Sequence, residues 1–142
     1  MPAVSPTSGH SLSLSRTWQP TMLPATTSSR QTSANDMHDS CGGNPIAHGD
    51  AWLAKTVPAI MNSAAYRNGG VILITWDEAA RGNGPVGTIM LSPLAKGHGY
   101  TNHVYYTHGS ALRTVEEIFG VSPLLRYASA VPDLSDLFRV FP

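Results

Sequence analysis

Val71-Ile72-Leu73-Ile74-Thr75-Trp76 is an unbroken run of aliphatic, β-branched and aromatic side chains, with Asp77-Glu78 directly behind it. Because polar and apolar residues do not alternate, the run reads as a strand buried on both faces, as in a parallel sheet covered by helices. The rest of the chain must then supply the cover. Thr88 to Leu91 reads as a second short strand, stopped by Ser92-Pro93. A helical pattern runs from Gly49 to Val57, with Asp50 as its N-cap, Trp52 as a core anchor and Pro58 breaking or restarting it. Ile60, Met61 and Tyr66 suggest another short helix, closed by Asn68-Gly69-Gly70. The clearest helix spans Gly109 to Phe119, capped by Thr107, with Leu112, Val115 and Phe119 on its apolar face and Gly120 past its end. The tail carries Leu124-Leu125 and then Leu134, Leu137 and Phe138. Helix, strand, strand, helix is the order of an α/β architecture.

Charge divides the chain unevenly. Residues 1–34 contain no Asp or Glu, only Arg16 and Arg30 as fixed charges, and many Ser, Thr and Pro. Such a segment buries too little apolar surface to offset the entropy of ordering it, so a disordered head is expected at 1–34 and a folded part at 35–142. About one hundred residues is short for an independent enzyme core. The net charge is zero with His neutral, and no basic run exists. The electrostatic footprint of a nucleic-acid binder is therefore absent. Cys41 is the single cysteine, which rules out an intrachain disulfide. No stretch of ~18 apolar residues is available to span a membrane. Thr17 to Thr27 is too polar for the core of a secretory signal, and the compartment stays open.

Chemistry concentrates at three places. Asp77 and Glu78 lie where an open α/β sheet places its ligands, beyond the carboxyl end of a strand. Adjacent carboxylates repel one another, and a divalent cation relieves that repulsion. A charged turn is the plain alternative. His38-Asp39, within Asn35-Asp36-Met37-His38-Asp39, offers imidazole and carboxylate together, in a pattern that a polar loop would also show. His108 starts the last good helix, where the positive helix end favours neutral imidazole and an anionic ligand. An ordinary capping segment is the alternative there. His10, His48, His98 and His103 have weaker claims. Glu116-Glu117 reads as structural, with Arg113 three residues before Glu116 at ion-pair spacing. A Walker A loop, a dinucleotide glycine fingerprint and a CxxC pair are all missing.

Read in order, Asn35–Asp39 (NDMHD), Gly49–Leu53 (GDAWL), Val57–Ser63 (VPAIMNS), Val71–Glu78 (VILITWDE), Tyr106–Ser110 (YTHGS) and Leu112–Gly120 (LRTVEEIFG) resemble the phosphoesterase family of bacterial acid phosphatases and phospholipases C. The resemblance implies an alkaline-phosphatase-like α/β/α sandwich, here its C-terminal part. It also implies a divalent metal ion held by Asp77 and Glu78, with His108 approaching it and with His38, Asp39 and His108 at the catalytic centre. The implied substrate is a phosphate ester or a phospholipid headgroup. Family members open with a strand bearing a Glu-Asn ligand pair and carry a nucleophilic Ser or Thr before the matched stretch. Residues 1–34 show neither, so a portion lacking the nucleophile is expected, partnered by a missing N-terminal part of the same domain. A catalytically inactive remnant or interaction module of the same fold is the alternative. A sulfate-ester hydrolase ranks last, because its nucleophile motif is missing too.

Overall fold

The computed structural model describes residues 35–79 and 81–142, so the disordered head expected at 1–34 lies outside the described residues. The described residues build three α-helices, two strands and two short 3-10 turns, a mixed α/β arrangement.

Helix α1 spans Pro45–Met61. It starts earlier than the apolar pattern suggests, because Asn44 caps it: the Asn44 side-chain oxygen accepts from Ile46 N–H at 3.0 Å and Ala47 N–H at 3.4 Å. Pro45 then occupies the first helical position, where a missing N–H costs nothing. Asp50 is therefore an interior residue rather than the cap, and Pro58 does not break the helix. A proline near the C-terminal end forfeits one backbone bond, and Asn62 N–H still closes on the Pro58 carbonyl at 3.0 Å. Trp52 is half-buried, less than a core anchor would be. Helix α2, Ala64–Arg67, is capped by Ser63 and followed by Gly69 at φ +95°. Gly70 lies directly on the Ala65 and Tyr66 backbone, where a Cβ would have no room.

Strands β1 (Ile72–Thr75) and β2 (Thr88–Leu91) pair antiparallel, with Ile72 opposite Leu91 and Thr75 opposite Thr88. The expectation of a doubly covered strand in a parallel sheet is corrected here. A parallel partner needs a crossover, usually helical. The 76–87 connector instead contains Gly82, Gly84, Pro85 and Gly87 and returns the chain directly. Ile72, Leu73 and Ile74 are half-buried, and Ile89 is exposed.

Helix α3 spans His108–Ile118, with Thr107 before it and Gly120 at φ +67° after it, close to the bounds that the sequence suggests. Its buried face is not the apolar one. Ser110, Thr114 and Glu116 are buried, whereas Leu112, Val115 and Phe119 are only half-buried. Polar side chains face inward because they satisfy the backbone of the tail. Thr114 Oγ1 donates to the Ser110 carbonyl and accepts from Leu134 N–H, both at 2.8 Å. The Glu116 carboxylate accepts from Leu125 N–H at 3.1 Å. Arg113 donates to the Val131 carbonyl at 2.7 Å and pairs with Glu117, four residues on, rather than with Glu116. Ala128, Leu134 and Phe138 form the buried apolar centre among the described residues. The tail closes on residues 94–96: Arg139 N–H donates to the Leu94 carbonyl at 2.8 Å. No described helix is long and apolar enough to cross a membrane.

Candidate functional site

Trp76 organises the carboxyl end of β1. Its indole N–H donates to the Asp36 carbonyl at 3.3 Å, and its ring lies over Gly87, where an added Cβ would press on it. One side chain thus joins the 35–39 loop, β1 and the return of the connector. Met37 fixes the same loop from the other side. It adopts φ +72°, a left-handed conformation that costs a non-glycine residue energy, and its side chain fills the space over Gly49 of α1. Gly49 is buried, and any larger residue would displace Met37.

Asp36, His38, Asp77 and Glu78 consequently line one depression of about 970 Å³, together with Trp76 and residues 85–87. Three of the expected site residues, His38, Asp77 and Glu78, are brought together. Asp39 stands beside them: His38 Nδ1–H donates to the Asp39 carboxylate at 2.9 Å. The hydrogen bond and charge of Asp39 raise the His38 pKa above its ordinary value, and Asp36 and Glu78 add to the same effect. His38, Asp77 and Glu78 are all solvent-exposed.

His108 arrives differently. It lines an adjoining, larger groove of about 1160 Å³ with β2, Tyr105 and Tyr106. Its Nε2–H reaches across to donate to the Asp77 backbone carbonyl at 2.8 Å. Among the weaker candidates, His98 lines the same groove, His48 packs its ring against Gly43, and His103 is exposed. His10 lies outside the described residues. Sequence reasoning missed Trp76, Met37 and Gly49 as the residues that assemble the depression. Trp76 reads as one more strand residue, and only its indole N–H hints at a polar partner.

Carboxylate oxygens and imidazole are donors suited to a divalent cation. Among the described residues, no three His, Cys, Asp or Glu side chains stand around one point. The donor types fit a metal ion, and their exposure leaves them free to change rotamer.

The model described as "Phosphoesterase family" matches residues 5–82, which takes in the 35–39 loop, β1 and Asp77-Glu78 as well as most of the acid-free stretch. The phosphatidylinositol-3-phosphatase of Mycobacterium tuberculosis (strain ATCC 25618 / H37Rv) is 31% identical over 105 residues, 73% of this chain. The chain spans 32% of that relative's length. No solved structure matches.

Proposed function

Because the chain belongs to the phosphoesterase family, we propose that it serves phosphoester hydrolysis, with the Asp77–Glu78 depression as its phosphate-handling site. The observation that carries this reading is the meeting of His38 with Asp77 and Glu78 beyond the end of β1. Asp77 and Glu78 would hold a divalent cation, which when bound polarises phosphate oxygens and stabilises their developing charge. His38, whose pKa the hydrogen bond and charge of Asp39 raise, is suited to bind a phosphate oxygen or to pass a proton to a departing alkoxide. A phosphorylated lipid headgroup is the proposed substrate class, because the mycobacterial relative is a phosphatidylinositol-3-phosphatase. An alkaline-phosphatase-like sandwich is the proposed setting, of which α1, the β1–β2 sheet and α3 would be parts.

Two measurements on the full chain test this. Calorimetric titration with Mn²⁺ should show binding that Asp77→Ala weakens at least about tenfold, and release of phosphate from p-nitrophenyl phosphate should require the metal. Metal affinity unchanged in Asp77→Ala overturns the assignment. The lack of a closed three-residue donor set among the described residues favours a second reading, a non-catalytic module of the same fold. Inorganic phosphate binding without turnover at any metal concentration would establish it.

A further inference from the structure

Asp77 sits where β1 gives way to a connector containing Gly82, Gly84 and Gly87. Such a segment has few means of its own to fix the direction of a carboxylate. The start of α3 is anchored well. Thr107 N–H donates to Ser110 Oγ at 3.1 Å, and Ser110 is fully buried. Thr114 Oγ1 links the Ser110 carbonyl to Leu134 N–H. The Tyr127 ring lies directly on Gly109, so that an added Cβ there would have to displace it. His108 projects from this fixed point and reaches the Asp77 carbonyl, 31 residues away in sequence.

We propose that His108 is a positioning residue. It holds Asp77 by its backbone carbonyl and so sets the direction of the Asp77 and Glu78 carboxylates. The 2.8 Å bond commits the Nε2 proton to Asp77. The lone pair of the neutral ring then lies on Nδ1, so the bond by itself does not separate positioning from ligation, and the glutamine variant below does. This inference rests on the phosphate-site reading for its purpose, but its geometry can be tested alone.

The experiment compares the full wild-type chain with His108→Ala and His108→Gln, the glutamine amide being able to donate in place of imidazole. Without metal, NMR reads the Asp77 carbonyl ¹³C shift and the backbone order parameters of residues 77–79. With metal, calorimetry reads Mn²⁺ affinity. In His108→Ala the carbonyl shift should move and the order parameters should fall toward the mobile range, below about 0.6. Mn²⁺ affinity should drop by about tenfold. His108→Gln should recover both. An unchanged segment 77–79 in His108→Ala overturns the proposal. So does a glutamine variant that orders the segment yet binds Mn²⁺ as poorly as alanine, because that result identifies a ligand. If the alanine variant unfolds, order at 77–79 in the glutamine variant supports the proposal and its loss overturns it. If the wild type binds no Mn²⁺, the metal reading falls while the NMR arm still decides the role of His108.

Discussion

At the scale of single residues, Asp136 is the most heavily engaged carboxylate. Lys96 Nζ donates to Oδ1 at 2.9 Å, while Tyr100 OH and Asn102 Nδ2 donate to Oδ2 at 2.8 and 2.7 Å. These donors, the Lys96 ammonium first among them, hold its pKa down at about 2 against an ordinary 3.8. The sign follows from linkage: a folded-state pKa below the unfolded one gives stability that is present above pH 3.8 and lost as pH falls through about 2. The side chain is 45% exposed, so salt screens part of the effect. Asp136→Asn should therefore unfold at lower urea than wild type at pH 6, with the gap closing toward pH 2. A gap independent of pH would remove the carboxylate charge as its cause. Nothing in the sequence announces this cluster, because Lys96 and Asp136 are 40 positions apart and meet only through the fold. Asp77 and Glu78 are legible for the opposite reason. They are adjacent and end an apolar run, and both signals are local.

At the scale of elements, α3 shows what a hydrophobic pattern can and cannot tell. Its bounds follow from near neighbours: Thr107 N–H donates to Ser110 Oγ at one end, and Gly120 takes φ +67° at the other. Its buried face depends on the partner, and that partner is a tail with little regular structure and with N–H groups in need of acceptors. Thr114 supplies one of them, to Leu134 N–H at 2.8 Å. Thr114→Val keeps the shape, removes the hydroxyl and leaves that buried N–H unsatisfied, at a cost of about 1–3 kcal/mol. Thr114→Ser retains the hydroxyl and should lose less. Urea unfolding of both variants checks the order, and a valine variant as stable as wild type would mean that the tail finds another acceptor. Helix α1 teaches a related lesson. Asn44-Pro45 is a local start signal as strong as the apolar stripe, and it moves the N-terminus ahead of Gly49.

At the scale of the whole molecule, the expected α/β class holds, while the two strands meet antiparallel and leave their outer edges without a described partner. Pairing of strands is a long-range property that a six-residue apolar run does not encode. The same run explains a further consequence. It is apolar enough for a doubly covered strand, yet Val71 and Ile89 stand exposed, as do Ile46 and Ile60 of α1 and Val104 and Tyr105 near β2. Apolar surface of this extent, beside a small buried centre at Ala128, Leu134 and Phe138, favours association or dye binding over a silent monomer. The purified chain should enhance anilinonaphthalene sulfonate fluorescence at neutral pH without denaturant, and its sedimentation mass should rise with concentration. Ile89→Lys places a charge on the exposed position of β2 and should reduce both signals without shifting the unfolding midpoint by much, since that side chain is already 48% exposed. A dye-silent wild type of constant mass would show that this surface is covered within the chain itself.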